Sequence, residues 1–445
     1  MKTYTLGSLT GMMAMSNLLS QTPDDKAAMN LAFTLHLHGE LDIPKLERAI
    51  GKLLAEPIMN TYLSAEGMEI TAHEKEFVPF SLPIEQAEGT SVEEKVEYVK
   101  AAAEKRALEP LPLTDADARQ SVFCLYEIAA DYHILLMIVH HAFLDFGAVM
   151  IAISHIFAAY NDENYKYPDC RPFSDFMKEE LDFMASDHAK AEDEYWAAET
   201  ADIRQPSLVS DVFEEGESIL TEQDVMTVFS RSELDAIASK ERTSTFNLMM
   251  LLIHMGIAKV NDCNDTILQY AISNRSEKDY RFTLGCMTRV LFNRMDFDDN
   301  MNGTELNKLL RKKIGAGYQN RHVAGKTPFG AVSYLAVNED MADLNSFPMF
   351  NGKPVPFDFV DMPRELNFVA VLVMPLGEDM IGAGVLTDMK RYSKHAKKLI
   401  DAIKLAKEFI VKYPQRTFSD FMRQDITLET LQLLDDPDSV EIIEL

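Results

Sequence analysis

Cysteine is scarce in this sequence, and its few positions are far apart. The 445 residues include only four cysteines, at positions 124, 170, 263 and 286, and no two of them form a CxxC pair. This spacing gives no support to a disulfide framework or to a structural zinc site. It indicates reduced thiols, which are typical of a cytoplasmic protein.

Long apolar runs are missing as well. No stretch reaches the roughly 18 residues that a membrane-spanning helix needs. The two longest candidates, residues 134–144 and 246–258, are interrupted by histidine or asparagine side chains. The N-terminus has no hydrophobic targeting core. We therefore expect a soluble chain that does not act at a membrane.

Positive charge is in deficit. The sequence has 43 lysine and arginine residues against 71 aspartate and glutamate residues, and a net charge of −28. Sequence-independent nucleic-acid binding depends on neutralising phosphates with basic side chains, so we expect no nucleic-acid partner. Basic residues do cluster over residues 311–326 and 390–407. Such clusters are typical of a solvated helix face, and they can also bind an acidic partner or a phosphate-bearing arm.

The hydrophobic pattern predicts an α/β architecture, because strand and helix signals alternate along the chain. The length suggests two or three domains. A polar, acidic helical segment over residues 168–200 could connect two lobes. Strands are predicted over residues 29–37, 122–128, 133–139, 266–272 and 284–292, a hairpin over residues 365–388, and helices over residues 42–54, 146–160, 246–260 and 393–411.

The most informative segment follows the strand that is predicted over residues 133–139. His140 and His141 end an almost unbroken apolar run, and Asp145 follows four residues later. Side chains alternate along a strand, so the two imidazoles should point to opposite sides and differ in role. If His141 faces a cleft, it could accept a proton from an amine or a hydroxyl nucleophile. Asp145 could orient the ring or hold the loop through an arginine. Gly147 lies where the next helix begins, a place where backbone N–H groups can stabilise an oxyanion.

Three other interpretations of this segment carry less weight. Metal binding would need a further cluster of ligands, and none is evident at ligand-like spacing. The two histidines could also be a structural pair in the core, each with its own hydrogen-bond partners. A serine hydrolase triad is disfavoured because the sequence has no GxSxG elbow.

The segment HHAFLDF, residues 140–146, resembles the HHxxxDG motif of the chloramphenicol acetyltransferase superfamily, and within it the condensation domains of nonribosomal peptide synthetases. Further similarities occur in the family's order along nearly the whole chain. They are Gly39-Glu40-Leu41-Asp42, Phe173-Ser174-Asp175-Phe176, Glu194-Tyr195-Trp196, the strand ending at Ser273-Asn274-Arg275, and the Leu284-Gly285 pair with its spacing to Arg294.

This resemblance implies two acetyltransferase-like lobes in a V-shaped pseudo-dimer with a tunnel at their interface. The N-terminal lobe would span residues 1–170, a helical connection residues 171–200, and the C-terminal lobe residues 201–445. The implied activity is acyl transfer from a thioester on carrier-protein phosphopantetheine or on coenzyme A to an amine or a hydroxyl. No permanently bound cofactor is implied, and a monomer would suffice.

The resemblance also assigns roles to the motif residues. His141 would act as a base or position the acceptor, with His140 and Gly147 in support. Asp145 would be structural and would pair with an arginine from the second half of the chain. Arg275 is the first candidate for that partner, and Arg294 is the second.

Three departures from the family pattern affect the implied function. Phe146 replaces the motif glycine and could narrow the channel. Arg289 stands where the family usually has asparagine and puts a cation near the tunnel. The opening segment, residues 6–12, lacks the usual glutamine and arginine. These departures keep open a binding or scaffold protein that has lost turnover, besides an O-acyltransferase that uses acyl-coenzyme A.

We expect a free-standing unit that meets an acyl or peptidyl carrier protein in trans. The overall negative charge would repel an acidic carrier, so the two basic clusters become candidate docking surfaces. In the second cluster, Lys394, Lys397 and Lys398 are the candidate contacts.

Overall fold

The computed structural model describes residues 2–202, 208–214, 217–221, 223–275, 278–322, 333–338, 348–360, 366–377 and 379–433. The chain divides into two compact units, each built from more than one segment of sequence. The first unit comprises Met1–Ser186, Ser273–Thr288 and Ala342–Arg364. The second comprises Asp187–Ile272, Arg289–Met341 and Glu365–Leu445.

Strands and helices alternate along both units. The strands are β1 (Thr3–Thr5), β2 (Asn30–His38), β3 (Thr61–Glu66), β4 (Glu69–Glu74), β5 (Ile84–Gln86), β6 (Ser121–Ala129), β7 (Tyr132–His140), β8 (Met226–Ser230), β9 (Asp265–Ile272), β10 (Arg289–Asp296), β11 (Tyr334–Asn338), β12 (Met349–Phe350), β13 (Lys353–Pro354), β14 (Phe357–Phe359), β15 (Val369–Gly377) and β16 (Met380–Leu386). The α-helices are α1 (Ser8–Leu19), α2 (Pro23–Ala27), α3 (Ile43–Leu54), α4 (Val92–Ala107), α5 (Phe146–Asn161), α6 (Phe173–Met184), α7 (Asp187–Glu199), α8 (Arg231–Lys240), α9 (Thr245–Asn261), α10 (Gly303–Gln319), α11 (Met389–Lys412), α12 (Phe418–Met422) and α13 (Leu428–Leu433). Short 3-10 turns cover Pro57–Asn60 and Lys278–Tyr280.

The main sheet of the first unit has the strand order β14-β2-β7-β6-β5. Its central strand, β7, is antiparallel to β2 and β6 and is buried from His133 to His140. A strand buried on both faces needs apolar side chains on both, which explains its continuous apolar run. Helix α3 packs against α5, and the Asp42 carboxylate caps α3 by accepting the Lys45 N–H at 2.9 Å.

The sheet of the second unit has six strands in the order β10-β9-β11-β15-β16-β8. Strand β11 is parallel to β9 and β15, while the remaining neighbours are antiparallel. Helices α9 and α11 pack against each other and contribute the largest helical part of the core. Both units are therefore α/β, as the alternation of signals predicts.

The local predictions for β2, β6, β7, α5, α9 and β9 are confirmed to within a few residues. The basic helix α11 begins earlier than expected, because the Asp388 side chain caps it by accepting the Lys390 N–H. The segment over residues 168–200 forms two helices, α6 and α7, and the chain leaves helical structure between them. The acidic tail, residues 434–445, lies outside the described residues.

Two long-range features differ from the expectations. The strand predicted over residues 284–292 begins only at Arg289, because the preceding backbone N–H groups bind a carboxylate instead of a neighbouring strand. The units also differ from the expected linear division, since Ser273–Thr288 and Ala342–Arg364 belong to the first unit. The first of these segments supplies side-chain and backbone partners to Asp145, and the second adds β14 to β2.

Over the described part of the chain, no single helix has both the length and the apolar composition needed to cross a membrane. Helices α8 and α9 meet these two criteria only together, across a bend of 92°.

Candidate active site

The two adjacent histidines lie where β7 ends. The His141 N–H donates to the Met29 carbonyl at 2.8 Å, which extends the pairing of β2 with β7 by one residue. The chain then turns, and the Phe143 N–H donates to the His140 carbonyl at 2.9 Å. The His140 side chain is fully buried, whereas that of His141 is half-buried. The two imidazoles therefore occupy different environments, as the alternation along a strand predicts.

His140 is a neutral side chain in the core. Its Nδ1 accepts a hydrogen bond from the Ala142 N–H at 3.2 Å, and its ring packs edge-on against Phe143. Burial, together with the neighbouring His141, lowers the pKa of His140 to about 3. Since Nδ1 accepts, the ring proton is on Nε2. His140 thus belongs to the frame of the site and does not exchange protons near neutral pH.

Asp145 caps α5 and also binds a distant loop. One carboxylate oxygen, Oδ1, accepts the Ala148 N–H at 2.8 Å. The other, Oδ2, accepts the Met287 and Thr288 N–H groups at 2.8 and 2.9 Å, and the Thr288 hydroxyl at 3.1 Å. Because the Ala148 N–H is used by this cap, it is not a donor for an oxyanion.

Arg275 completes the environment of Asp145. Nη1 of Arg275 lies 2.9 Å from Oδ2 and Nη2 lies 2.9 Å from Oδ1, so the guanidinium binds both carboxylate oxygens. Nη2 also donates to the Gly285 carbonyl at 2.8 Å. Burial would raise the pKa of Asp145, but the guanidinium and the backbone donors hold that pKa below its usual range. Within the described residues, none of the Asp145 hydrogen bonds goes to His141, so this carboxylate holds the loop and does not orient the ring.

Gly147 and Phe146 together explain how the altered motif is accommodated. A Cβ atom on Gly147 would lie 3.2 Å from Nη1 of Arg275 and 3.6 Å from Oδ1 of Asp145. A side chain at this position would therefore crowd the guanidinium. The half-buried Phe146 ring instead packs among aromatic side chains, with centroids 5.5 Å from Phe359 and 6.4 Å from Phe33. Gly147, one residue after the position of the family's glycine, is the residue that leaves space beside the guanidinium.

The loop of residues 283–288 contributes residues that the sequence did not single out. Cys286 is buried, and its Sγ lies 3.9 Å from Nδ1 of His141. Gly285 packs so closely on Phe173 that a Cβ atom would lie 2.2 Å from the ring. Two of the segments that resemble the family, FSDF and Leu-Gly, therefore meet in the first unit. The family-like spacing from Gly285 to Arg294 was the available signal for this loop, but it assigned no role to Cys286.

A family profile described as "Condensation domain" matches residues 15–355. The chain belongs to the condensation-domain family. Membership supports a role in condensation or acyl transfer of the nonribosomal peptide type. The family expected from the HHxxxD segment is thus confirmed.

Curated relatives and solved structures agree with this membership. The condensation domain is 25% identical over 182 residues to Bacitracin synthase 3 of Bacillus licheniformis, covering 40% of this chain and 3% of that protein. It is 22% identical over 338 residues to Bacitracin synthase 2 of the same organism, covering 73% of this chain and 12% of that protein. The chain therefore spans a small part of these relatives.

The fold is shared with solved condensation domains. A variant of the starter condensation domain of rhizomide synthetase RzmA, in complex with C8-CoA, superposes with a TM-score of 0.75 at 13% identity, covering 94% of this chain and 97% of that chain. The expected fold class, that of the condensation domains, is confirmed by this match.

Arg294 and Arg289 lie in the second unit of the condensation domain. Arg294 forms an ion pair with Asp265, with Nη2 2.6 Å from Oδ2, and also donates to the Ala201 carbonyl. Arg275, the first candidate, is therefore the arginine that binds Asp145. Arg289 is the first residue of β10 and its side chain is 1% exposed.

The basic clusters are partly neutralised by neighbouring acidic side chains. Nζ of Lys394 lies 2.6 Å from a carboxylate oxygen of Glu217, and Lys397 forms an ion pair with Asp401. Lys398 is exposed. In the other cluster, Lys313 forms an ion pair with Glu199, Arg311 and Lys312 are exposed, and Lys326 lies outside the described residues.

Among the described residues, no group of three histidine, cysteine, aspartate or glutamate side chains could hold a metal ion.

Proposed function

We propose that this condensation domain moves an acyl group from a thioester to an amine or a hydroxyl acceptor, with His141 as the base or the acceptor-positioning residue. The observation that carries this proposal is the placement of His141, half-buried at the end of β7 beside a loop that Asp145 and Arg275 hold. A half-buried imidazole can be reached by a substrate, while its fixed surroundings limit the orientations of the ring.

The chemistry follows from the acceptor and the thioester. The acceptor nitrogen or oxygen attacks the carbonyl carbon, an amide or ester bond forms, the carbon–sulfur bond breaks, and the thiol leaves. His141 takes the proton that the acceptor loses and returns it to the leaving thiolate, so that atoms and charge balance. Histidine suits this role because its imidazole exchanges protons near neutral pH.

Two of the motif residues support this step without taking part in it. His140 stays neutral because burial lowers its pKa to about 3. Asp145 stays ionised because Arg275 and backbone donors bind it. Neither group exchanges a proton near pH 7, which leaves His141 as the candidate base of this motif.

The proposed donor is an acyl group on the phosphopantetheine of a carrier protein or on coenzyme A. Both donors present the same thioester at the end of the same arm. The bacitracin synthases support a carrier protein as partner, and the C8-CoA complex of a similar structure supports a coenzyme A thioester. A carrier acting in trans, a monomeric enzyme and a cytoplasmic location, for which free cysteines are typical, are further parts of this proposal.

The test combines the wild-type protein with acyl-carrier and acyl-coenzyme A donors of the same chain length and with panels of amines and alcohols. Products are identified by mass spectrometry. We expect turnover, and for His141→Ala a rate lower by about 10²- to 10⁴-fold, the usual contribution of a general base. His38→Ala, an exposed histidine on β2 of the same sheet, is the matched control and should keep the wild-type rate.

Each outcome decides between the alternatives. Ester formation from acyl-coenzyme A alone would identify an O-acyltransferase that needs no carrier. Wild-type rates in His141→Ala would contradict the role of His141. No product with any donor would contradict the proposal and favour a binding or scaffold protein.

A further inference from the structure

Three polar side chains form a hydrogen-bonded row at the end of β7 that lies away from His141. The Tyr132 hydroxyl lies 2.6 Å from Nδ1 of His36, and Nε2 of the same imidazole lies 2.9 Å from Oδ2 of Asp358. Tyr132 is the first residue of β7 and His140 is the last, so about 26 Å of extended strand separate the two ends. The row is therefore a feature distinct from the candidate active site.

Backbone pairing brings these three residues together from distant parts of the first unit's sequence. His36 lies on β2, which is antiparallel to β7, and Asp358 lies on β14, the neighbour of β2 on its other side. The His36 N–H donates to the Pro356 carbonyl at 2.9 Å, just before β14. The Tyr132 ring stacks on the His38 ring, with centroids 4.2 Å apart. The sheet of one unit thus holds the phenol, the imidazole and the carboxylate in place.

The protons of the row have a defined order. The hydrogen bond from His36 lowers the pKa of Asp358, which keeps the carboxylate ionised and able only to accept. The proton of a neutral His36 ring is therefore on Nε2, and the lone pair is on Nδ1. The Tyr132 hydroxyl then donates to Nδ1. Burial and the charge of Asp358 raise the pKa of Tyr132, so the phenol keeps its proton until the imidazole takes it.

This order is that of a nucleophile, a base and a residue that orients the base. A hydroxyl within hydrogen-bond reach of an imidazole, which a carboxylate orients in turn, is the arrangement that activates hydroxyl nucleophiles. The carboxylate also stabilises the imidazolium that forms when the base takes a proton. Tyr132 is half-buried and the Asp358 side chain is 73% exposed, so a small reagent can reach the row from solvent.

We propose that Tyr132 is a nucleophile that accepts an acyl group from an activated ester or a thioester, with His36 as its base and Asp358 as the positioning residue. The phenol oxygen attacks the carbonyl carbon, a carbon–oxygen bond forms, and the bond to the leaving group breaks. Nδ1 of His36 takes the phenol proton and gives it to the leaving group. The product is a tyrosine ester, and its formation does not depend on the proposed function of His141.

Two other tyrosines of the first unit lack parts of this arrangement. The Tyr165 hydroxyl lies 2.9 Å from Nδ1 of His155, but no carboxylate binds that imidazole in the part of the chain that the structure describes. Burial lowers the pKa of His155 to about 4, which makes it a weak base. Tyr62 stacks on His73 with centroids 4.9 Å apart, and within the described residues no histidine nitrogen binds its hydroxyl. Both tyrosines are half-buried, like Tyr132, and serve as internal comparisons.

Acylation by para-nitrophenyl acetate tests the proposal. The wild-type protein is incubated with this ester, and peptide mass spectrometry measures the acetylation of each tyrosine over time. We expect Tyr132 to react about 10²-fold faster than Tyr62, at the lower end of the usual contribution of a general base, and also faster than Tyr165. A row that only holds β14 against β2 would give equal rates at the three tyrosines. That result, or no acetylation of Tyr132, would overturn the inference.

Substitutions in the row separate reactivity from structure. His36→Ala should lower the acetylation rate of Tyr132 by about 10²-fold. Asp358→Asn keeps the shape of an exposed side chain, so this variant should fold, and its Tyr132 rate should fall toward that of Tyr165. Asp131→Asn removes an exposed negative charge next to Tyr132 and is the matched control, which should keep the wild-type rate. Wild-type acetylation of Tyr132 in Asp358→Asn, or equal losses in Asp358→Asn and Asp131→Asn, would contradict the assigned roles.

The candidate active site is tested separately. In His141→Ala, the variant that should lose acyl transfer, we expect acetylation of Tyr132 to persist. If this acetylation disappears together with His141, then Tyr132 receives its acyl group through the candidate active site, and the inference of an independent nucleophile is wrong. If the wild type shows no acyl transfer to amines or alcohols, the proposed function is wrong, and the acetylation rates of the three tyrosines still decide the role of Tyr132.

Discussion

Asp145 and Arg275 are 130 residues apart in the sequence, and each oxygen of the carboxylate lies 2.9 Å from a guanidinium nitrogen. The side chains are 1% and 8% exposed. A guanidinium matches the geometry of a carboxylate and binds it through two parallel contacts. The pair joins the start of α5 to the loop before β10, and it fixes the distance between them.

Arg275→Ala should destabilise the protein strongly. The substitution leaves the Asp145 carboxylate buried without its counter-charge, and breaking such a pair costs about 3–5 kcal/mol. We expect a loss of this size in the free energy of unfolding of the first unit, measured by chemical denaturation. The exposed pair of Arg48 with Glu163 is the control, and Arg48→Ala should cost about 1 kcal/mol or less. Equal losses in the two variants would contradict a structural role for Arg275.

Gly147→Ala should weaken the same ion pair from the other side. The added methyl group would lie 3.2 Å from Nη1 of Arg275, so the guanidinium must move. We expect a cost of about 1–3 kcal/mol, as for other overpacked sites, measured as a fall in thermal stability. Gly51 in α3 has no atom within 4 Å of the corresponding position. Gly51→Ala should therefore be neutral or stabilising by up to about 1 kcal/mol, and a similar fall in both variants would contradict the explanation.

Restoring the family's glycine at position 146 should increase neither the stability nor the rate of the protein. Phe146→Gly removes a ring that packs against Phe359 and Phe33, and we expect a loss of about 2–4 kcal/mol in stability. Gly147 already provides the space next to Arg275, so the substitution does not stabilise the ion pair. Phe146→Leu keeps most of the packing and should cost about 1 kcal/mol. A more stable or faster Phe146→Gly variant would show that the aromatic residue obstructs the site.

Stability should fall as the solution becomes acidic. Burial lowers the pKa of His140 to about 3, whereas an unfolded histidine has a pKa of about 6.5. Between these two pH values the unfolded chain binds a proton that the folded chain does not. The free energy of unfolding therefore decreases by up to about 1.4 kcal/mol for each pH unit below 6.5. His254, whose pKa burial also lowers to about 3, adds a second contribution of the same sign.

Asp145 acts in the same direction at lower pH. Its folded pKa is depressed, so its stabilising contribution is present above the unfolded pKa of about 3.9 and disappears as the pH falls through the folded pKa.

Calorimetry at pH 5 in buffers of different ionisation enthalpy measures the proton uptake on unfolding. His140→Leu should reduce this uptake by about one proton, and an unchanged uptake would contradict the neutral state of His140 in the folded protein.

The basic cluster on α11 gives a separate prediction for the carrier partner. Lys398 is exposed, whereas Lys394 is bound to Glu217. If this surface binds an acidic carrier, Lys398→Glu should slow transfer from the acyl-carrier donor by several-fold and leave transfer from acyl-coenzyme A unchanged. In this proposal the positive charge of Lys398 affects the rate only by binding the carrier protein. Equal rates with the carrier donor in the variant and the wild type would remove this surface from consideration.

Much of the local structure could be predicted because periodicity records which side chains are buried. The alternating residues of β2, the apolar run of β7 and the Asp42 cap of α3 are local features of this kind. The segment from Leu284 to Thr288 has apolar side chains like those of the buried strands, and it was predicted as a strand. Its backbone N–H groups bind a carboxylate, and a pattern of buried side chains does not record the partner of a backbone group.

The candidate site was predictable in part for the same reason. The motif placed His140, His141 and Asp145 at the end of one strand, since they are close in sequence. The family resemblance ranked Arg275 before Arg294 as the partner of Asp145, but the sequence could not decide between them, because that choice depends on the path of a loop. Cys286 was noticed only as an isolated cysteine, since nothing local connects it to a histidine 145 residues earlier.

The segment Ser273–Thr288 joins two neighbouring strands of the second unit, β9 and β10, yet it belongs to the first unit. During synthesis, residues 1–186 leave the ribosome well before the arginine and the backbone donors that Asp145 requires. The Asp145 carboxylate at the start of α5 therefore has no counter-charge until the chain has been synthesised as far as Thr288. Contacts so distant in sequence form slowly. We therefore expect the site around His141 to be one of the last parts of the first unit to form, and an N-terminal fragment ending at Ser186 would lack the partners of Asp145.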